Sequence, residues 1–274
     1  MKDFWEHTYF NTYYYSNIID NVLSGDIEFL GFISDYFSDN HSFIRPFRKQ
    51  SAFHQFIGYI IFRFLDQDMH EYDQRAFKRY EMLGQLPPLY AEQLLSVYGI
   101  GSPFEYETTD GRRLSYQDIE EYHESLMMIG ELEELCIRIA DEVFYILFNN
   151  RDLLIRFNRL VAGYVAEMDK DTFDEYDVNE YWPLFSRFGR LLRASIPEWC
   201  KETIYFREKG RCCLCGIDLT ALLRTGNKAH YDHMVPLYYG GINDVSNIQL
   251  LCSICNLKKG RKDIETSVFY FKWY

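Results

Sequence analysis

Apolar residues recur at helical spacing through much of the chain. Over residues 53–65 they fall at i, i+3, i+4, i+7 and i+8, which places them on one face of an α-helix, and residues 153–168 repeat this spacing. Ser115, followed three residues later by Asp118, is typical of a capping box that opens a helical stretch over about 116–148. The pattern predicts a mainly α-helical architecture before the C-terminal quarter of the chain.

Turn-forming residues divide this helical pattern. Gly130 predicts a break within the longest helical stretch. The pair Asp110-Gly111 lies between two short runs of strand-forming character and predicts a β-hairpin. Pro197 suits the first turn of a further helix that runs to about Lys209.

The net charge of −12 is distributed unevenly along the 274 residues. Residues 201–274 contain 11 Lys and Arg against 7 Asp and Glu, whereas residues 1–200 contain 18 against 34. Together with the position of a cysteine-rich segment, this shift predicts two domains, over residues 1–195 and 196–274. The basic excess suits a nucleic-acid partner, and the acidic region predicts a surface for a protein partner or for self-association.

No segment resembles a secretory signal or a membrane span. The first fifteen residues mix charges and lack the apolar core of a signal peptide. The most apolar stretch, residues 53–65, contains Arg63 and is too short to span a bilayer. We therefore expect a soluble cytoplasmic protein without a membrane partner, in which the clustered C-terminal cysteines serve as metal ligands in a reducing compartment.

Four cysteines form two closely spaced pairs. Cys212-x-x-Cys215 and Cys252-x-x-Cys255 are separated by 36 residues, and each pair can hold one side of a tetrahedral zinc ion. Four thiolates leave no open coordination position, so the predicted Zn²⁺ is structural. Cys213 is an alternative ligand, although its spacing suits a zinc-binding turn less well.

Between and just after these pairs lie residues suited to a different metal and to acid–base chemistry. Asp232 and Asn256 offer hard oxygen ligands, which suit Mg²⁺ or Mn²⁺ rather than a thiolate site. His233 lies beside Asp232, and the ordinary pKa of a histidine side chain, near neutrality, suits a general base. Because adjacent side chains of a strand point to opposite faces, we expect a bulged or irregular segment that turns Asp232 and His233 toward one substrate.

The C-terminal segment contains, in order, Cys-x-x-Cys-Gly, Asp-His-Met-Val-Pro-Leu, Gly-Gly and Asn-Ile-Gln-Leu-Leu-Cys-x-x-Cys-Asn-x-x-Lys-Gly. This series resembles the zinc-bearing HNH endonucleases over about residues 196–263. The resemblance implies a ββα-metal fold, with Asp232 and His233 on the first strand and a helix that begins near Cys255. The expected fold class is therefore a mainly α N-terminal domain plus a small α+β C-terminal module with structural zinc.

The resemblance also implies a role for each site residue. His233 is expected to be the general base, and Asp232 and Asn256 to hold the catalytic divalent cation. Asn247 is expected to brace the loop that aims the base. The family is named for a His-Asn-His series, whereas the last position here is Asn256, which leaves the preferred cation open.

Five further residues are candidates for contact with nucleic acid. Four of them follow the expected metal ligand on its helix, where a charge run beside a nuclease centre favours phosphate contact over a merely solvated face. The fifth lies two residues before Asp232, where a phosphate contact and an ordinary strand-surface position both stay open. The candidates are His230, Lys258, Lys259, Arg261 and Lys262.

These features predict a metal-dependent endonuclease that hydrolyses phosphodiester bonds in DNA. Free-standing HNH proteins with a divergent helical domain resemble bacterial antiphage-defence effectors, so the resemblance implies that setting. Two alternatives stay open: a nuclease directed at RNA, and a non-catalytic zinc module that binds nucleic acid or protein. The set of Asp232, His233 and Asn256 argues against the non-catalytic module, because binding alone requires none of them.

Overall fold

A computed structural model of the chain describes residues 2–25, 30–109, 111–220, 228–261 and 263–270, without the side chains of residues 2–10 and 39. Most of these residues are helical, and a small two-stranded sheet lies near the C-terminus. None of the described helices is long and apolar enough to cross a lipid bilayer. In chain order the elements are α1 (Lys2–Leu23), α2 (Leu30–Asp39), α3 (Ala52–Leu83), α4 (Tyr90–Tyr98), α5 (Tyr116–Ile129), α6 (Glu131–Leu147), α7 (Arg151–Glu167), α8 (Val178–Tyr181), α9 (Glu198–Arg207), β1 (Ala229–His233), β2 (Ile248–Cys252) and α10 (Ser253–Lys259).

The helices confirm the mainly α expectation together with several of its local signals. At the start of α5, the carboxylate of Asp118 accepts a hydrogen bond from the backbone N–H of Ser115 at 2.7 Å. Gly130 separates α5 from α6 and adopts a φ of 87°, in the left-handed region that favours glycine. The predicted break in the helical stretch therefore forms at Gly130, where α5 ends.

One local expectation is wrong, and a second is met except at the C-terminal end of the helix. The described residues between α4 and α5 contain no strand, so the hairpin does not form there, and Asp110 lies outside the described residues. Instead the hydroxyl of Tyr106 donates to Glu92 of α4, so contact with a helix replaces cross-strand pairing. The helix after Pro197 ends at Arg207, two residues earlier than expected, and Lys209 adopts a φ of 53°.

The described residues divide into two compact units. The first comprises Met1–Ile19 and Phe56–Val143, and the second comprises Asp20–Gln55 and Phe144–Tyr274. The second unit thus includes both the cysteine-rich motif and residues that the charge pattern placed on the other side of residue 195. The functional division at that residue stays a prediction.

In the first unit, a buried side-chain hydrogen bond joins two helices. Asp73 of α3 contacts the Nε2 atom of His123 of α5 at 2.8 Å, and each side chain is 1% exposed. The second carboxylate oxygen of Asp73 accepts from the backbone N–H of Tyr90, the first residue of α4, at 2.7 Å. Because a buried carboxylate requires partners, these contacts fix three helices around one charge.

In the second unit, α7 packs against the segment that joins β1 to β2. Its residues Ile155 and Ala162 form a buried cluster with Val235. The amide of Asn158 donates to Ser246 at 3.3 Å in the same interface. Residues of α7, such as Asn158, which precedes Ser246 by 88 positions, therefore contribute to the core on which the motif folds.

Buried charges strengthen this packing. The Arg151 guanidinium of α7 donates to the Glu208 carboxylate, and both side chains are almost fully buried. Arg207 pairs with the other oxygen of the same carboxylate and donates to the carbonyl of Ile248, the first residue of β2, at 2.5 Å. Removing one member would leave a buried charge without its partner, so this network ties α7, α9 and β2 into one unit.

Candidate active site

The four paired cysteines converge on one point. Their sulfur atoms all lie within 4.8 Å of one another, and the Sγ atoms of Cys215 and Cys252 are 3.8 Å apart. Four sulfurs placed tetrahedrally around one zinc ion at about 2.3 Å lie roughly 3.8 Å from each other. The arrangement of Cys212, Cys215, Cys252 and Cys255 therefore fits a structural zinc site.

Local turns hold this cluster in place. The N–H of Gly216 donates to the carbonyl of Cys212 at 2.8 Å, and Gly216 has a φ of 71°, so the first pair forms a tight turn after α9. Cys252 ends β2, and its sulfur accepts from the backbone N–H of Cys255 in the first turn of α10 at 3.4 Å. The second pair thereby joins the strand to the helix.

Cys213 lies outside the cluster. Its thiol is buried and lies 3.1 Å from the Oε1 atom of Gln249, to which it donates. Burial, with a smaller contribution from the nearby Glu208 carboxylate, raises the pKa of the Cys213 thiol to about 12. Because the Cys213 sulfur contacts Gln249 and is not among the four clustered sulfurs, the alternative ligand set with Cys213 is not the one that forms.

β1 and β2 pair in regular antiparallel register. Asp232 lies opposite Gln249, and His233 lies opposite Ile248. No bulge interrupts the pairing, so the expectation of an irregular segment at Asp232 and His233 is wrong. Within this regular pairing the two adjacent side chains have different partners: Asp232 contacts Lys259 of α10, whereas His233, the last residue of β1, contacts Asn243 of the loop that follows.

Asn247 binds both ends of the loop between the strands. Its Oδ1 atom accepts from the N–H of Val235 at 2.9 Å, and its Nδ2 atom donates to the carbonyls of Val235 at 2.9 Å and Ile242 at 3.0 Å. Its own carbonyl accepts from the N–H of Met234 at 2.7 Å. The fully buried amide thus holds the backbone immediately after His233, as a bracing residue would.

Glycine is required where this loop folds back on itself. A Cβ atom on Gly241 would lie 1.9 Å from the carbonyl oxygen of Val235, and a Cβ atom on Gly240 would lie 2.4 Å from the carbonyl oxygen of Ala162. Both contacts involve backbone, which cannot move aside without displacing the loop.

We expect Gly241→Ala to lower the free energy of unfolding by about 3 kcal/mol, because the new methyl group displaces the backbone around Val235. Gly163→Ala is the matched control. Gly163 lies within α7 with no atom near its missing Cβ, so alanine should leave stability unchanged or raise it by up to about 1 kcal/mol. Chemical denaturation of the full chain measures both, and equal stability of the two variants would contradict the required close approach.

His233 is buried, with 3% of its surface exposed. Its Nε2 atom lies 3.3 Å from the Oδ1 atom of Asn243. The orientation of this amide is fixed from both sides, because Oδ1 also accepts from the N–H of Ala194 at 3.3 Å and Nδ2 donates to the carbonyl of Leu192 at 2.8 Å. Nε2 must therefore carry the imidazole proton, which leaves the lone pair on Nδ1.

The charge state of His233 follows from its surroundings. Burial lowers the pKa of the imidazole to about 4, and the positive charge of Arg193 acts in the same direction, while the Asp232 carboxylate opposes it. The ring is consequently neutral at neutral pH. A neutral imidazole with its lone pair on Nδ1 is the form that can accept a proton from water.

Lys259 is placed differently from the prediction. Its side chain is fully buried rather than exposed for phosphate contact: the Nζ atom lies 2.8 Å from Oδ2 of Asp232 and donates to the carbonyl of His233 at 2.8 Å. As a member of a charge run, Lys259 is expected at the surface. The i, i+3 relation instead puts Lys259 on the same side of α10 as Asn256. The Lys259 ammonium thus holds α10 to β1 at Asp232 and His233.

We expect Lys259→Met to lower the free energy of unfolding by about 2–3 kcal/mol, because the buried Asp232 oxygen and the His233 carbonyl lose their partner. Lys258→Met is the matched control at an exposed position of the same helix and should change stability by less than about 0.5 kcal/mol. If both variants unfold at the same denaturant concentration, Lys259 does not hold the site together.

The remaining candidates differ in their surroundings. His230 lies on β1 with its Nε2 atom 3.0 Å from the hydroxyl of Ser253 at the start of α10, so its ring is engaged within the module. Lys258 and Arg261 are exposed, and Lys262 lies outside the described residues. Asn256 is half-buried on α10, which packs against both strands.

Asp232 and Asn256 offer oxygen donors of the kind that suits one hard divalent cation. The Nζ atom of Lys259 lies beside Oδ2 of Asp232, and the Asp232 side chain is 17% exposed. Mg²⁺ characteristically keeps several water ligands and needs few ligands from protein. One carboxylate oxygen and one amide oxygen are sufficient protein ligands of that kind.

Sequence reasoning missed two residues of this centre. Asn243, which fixes the His233 ring, lies two positions after the glycine pair, where spacing alone assigns no function. Arg193, whose charge acts on His233, lies upstream of the cysteine-rich motif in the acidic part of the chain. Only the folded arrangement brings both residues to His233.

Comparison with known proteins adds one finding. A model of the HNH endonuclease family matches residues 212–262, and the region N-terminal to this range has no family match. No curated protein and no solved structure matches the chain significantly. The matched range contains the four clustered cysteines, β1, β2 and α10. Residues 212–262 therefore form a domain that matches the HNH endonuclease family, called the HNH domain below.

Proposed function

We propose that the protein is a metal-dependent endonuclease that hydrolyses phosphodiester bonds in DNA. The family match indicates nuclease activity in general terms. The observation that carries the specific proposal is the buried, neutral His233, whose Nε2–H is held by Asn243 so that Nδ1 is available as a base. A zinc-binding module that only binds its partner has no need of such an arrangement.

The residues account for a one-base mechanism. Nδ1 of His233 takes a proton from a water molecule as the water oxygen bonds to phosphorus. The bond between phosphorus and the 3′ oxygen breaks, and the leaving oxygen takes a proton from solvent, so the products carry 5′-phosphate and 3′-hydroxyl ends. When bound by Asp232 and Asn256, Mg²⁺ or Mn²⁺ supplies Lewis-acid stabilisation of the developing negative charge.

The zinc cluster supports this chemistry from outside the reacting centre. Cys252 and Cys255 lie at the junction of β2 and α10, and α10 carries Asn256. Zn²⁺ at the four thiolates would therefore fix the helix against the strand that pairs with β1. We assign the zinc a structural role, because the four ligands leave no position for water or substrate.

The charge of the C-terminal region supports a nucleic-acid substrate. Residues 201–274 contain four more basic than acidic residues, and Lys258 and Arg261 are exposed on and after α10. Exposed cations beside a nuclease centre suit phosphate contact. One base and one cation cut one strand per event, so the expected first product from duplex DNA is a nick.

The test is incubation of the purified full chain with supercoiled plasmid, single-stranded DNA and RNA, in Mg²⁺, in Mn²⁺ and in EDTA. The proposal expects cation-dependent cleavage of DNA and none in EDTA. Cleavage of RNA alone would redirect the proposal to the RNA-specific alternative. The absence of cleavage of every substrate in every cation would reject catalysis.

One observation favours a non-catalytic zinc module as the second candidate. The Lys259 ammonium lies against the Asp232 carboxylate and offsets part of the charge that a divalent cation would use. On that reading Asp232 and Lys259 are a structural ion pair, and the domain binds nucleic acid or protein without cutting it. Nucleic-acid binding without cleavage in the same assay would select this candidate.

The last part of the proposal concerns the cell compartment, the partners and the biological role of the protein. Clustered, unbridged cysteines suit a reducing cytoplasm. A protein partner or self-association through residues 1–195 stays a prediction, which exposed apolar side chains in the first unit support: Met82, Leu83, Met128 and Ile129. An antiphage-defence role rests on the family resemblance alone.

A further inference from the structure

A short basic segment, residues 185–194, precedes the HNH domain and contacts Asn243, the residue that also contacts His233. Residues 185–191 form a tight turn closed by an antiparallel bridge between Phe185 and Leu191, with the N–H of Ser186 donating to the carbonyl of Arg190 at 2.7 Å. Three arginines follow one another at three-residue intervals along this segment: Arg187, Arg190 and Arg193. Their charge stands out in a region that is otherwise acidic.

The three arginines differ in their contacts. The guanidinium of Arg190 lies 3.8 Å from the ring centroid of Tyr238, and that of Arg187 lies 4.7 Å from the ring centroid of Phe188. Arg193 is exposed, and it forms no ion pair with a carboxylate in the part of the chain that the structure describes. Its planar set of donors is thus available to an anion from outside.

The backbone on both sides of Arg193 is fixed to the catalytic centre. The Asn243 amide donates to the carbonyl of Leu192 at 2.8 Å and accepts from the N–H of Ala194 at 3.3 Å. The same amide oxygen lies 3.3 Å from Nε2 of His233. One side chain therefore sets the position of the base and of the arginine segment together.

The charges of the centre favour an anion there. Lys259 offsets the charge of Asp232, so the exposed Arg193 adds a positive charge to the group that no carboxylate of the centre offsets. Arg193 lies between Leu192 and Ala194, whose backbone contacts the same Asn243 amide that contacts His233. A phosphodiester that approaches His233 would meet this guanidinium.

We infer that Arg193 binds a non-bridging oxygen of the phosphodiester that His233 attacks, and that Asn243 positions both residues for this purpose. The inference rests on the proposed nuclease function and deepens it by naming a substrate ligand outside the matched range of 212–262. A guanidinium pairs with two phosphate oxygens at once, which both orients the phosphorus and offsets the charge that grows on it during attack.

The test compares Arg193→Ala, Arg193→Lys and Arg187→Ala in the full chain. Arg187→Ala removes the same charge from the same segment and serves as the matched control. We expect Arg193→Ala to lower kcat/KM for DNA cleavage by roughly ten- to a hundredfold, since a hydrogen bond to a charged group is lost. Arg193→Lys should recover only part of this loss, because lysine keeps the charge but not the planar donor pair. Arg187→Ala should stay within about threefold of wild type.

Binding provides a readout that does not depend on cleavage. Each variant is combined with His233→Ala, and its affinity for a short DNA duplex is measured across a series of salt concentrations. Arg193→Ala should reduce the steepness of the salt dependence by about one phosphate contact, and Arg187→Ala should not. Equal losses from both arginines, or an unchanged kcat/KM in Arg193→Ala, would overturn the inference while the nuclease proposal stands. A wild-type chain that neither binds nor cuts nucleic acid would overturn both.

Discussion

Replacement of His233 by alanine is expected to lower the rate of DNA cleavage by about 10³-fold, because the variant has no group that can take the proton from the attacking water. The loss should appear in kcat at saturating DNA, since the imidazole acts on water and not on substrate binding. The measurement is the initial rate of plasmid nicking in Mg²⁺ or Mn²⁺. DNA affinity, read separately by anisotropy, should change little.

Two further variants separate the loss of a base from the loss of a fold. His233→Asn keeps a donor for the Oδ1 atom of Asn243 but offers no base, so it should be as inactive as the alanine variant. His70→Ala removes an exposed histidine of the first unit and should retain full activity. Cleavage by His233→Asn at near wild-type rate would show that His233 is not the base.

The second large effect concerns the cysteine cluster. We expect Cys252→Ser to lose the zinc ion and to unfold the surrounding strand and helix, because in a small metal module the free energy of metal binding is folding free energy. Metal analysis should give one zinc per wild-type chain and far less than one in the variant. Cleavage should be lost together with zinc, since Asn256 follows Cys255 directly on α10.

Cys213→Ala is the matched control for this prediction. It removes a thiol from the same turn, but the Cys213 sulfur contacts Gln249 and is not a member of the cluster. The variant should therefore keep its zinc, with a loss of stability of only about 1 kcal/mol. A wild-type protein without zinc, or equal zinc loss in Cys213→Ala and Cys252→Ser, would contradict a four-cysteine structural site.

Local chemistry explains what the sequence alone predicts well. The period of apolar residues over 153–168 depends only on which face of α7 is buried, and Gly130 ends α5 because glycine readily adopts a positive φ. The ligand spacing of Cys212 and Cys215 is likewise a local property of one turn. Features of this kind can be predicted from the sequence because they depend only on residues that are close together in the chain.

Long-range contacts explain what the sequence alone did not predict. Lys259 reads as one member of an exposed charge run, yet its ammonium meets Asp232 of a different element inside the module. Asn243 gains its importance from Leu192 and Ala194, about 50 residues upstream. The expected bulge at Asp232 was inferred from a need to face one substrate, whereas the regular strand pairing places the two side chains on different partners.

The extent of the second unit has the same cause. A charge shift marks residue 195, but burial depends on which surfaces pack, and α7 packs against Val235 and Ser246 of the motif. Asp244 in addition accepts from the backbone N–H of Ala52, the first residue of α3, at 2.8 Å. Experiments on the HNH domain accordingly need the full chain, because a fragment that begins at residue 196 would lack these partners.

The most direct measurement of the central claim is the chemistry of the cut ends. Supercoiled plasmid is incubated with the zinc-loaded full chain and Mg²⁺ or Mn²⁺, and the purified nicked product is treated with DNA ligase. Water activated by His233 leaves a 5′-phosphate and a 3′-hydroxyl, which ligase seals without further treatment. We expect resealing of product made by wild type, and no nicked product from His233→Ala or in EDTA. Product that ligase cannot seal before its ends are repaired, or nicking that persists without His233, would contradict the account.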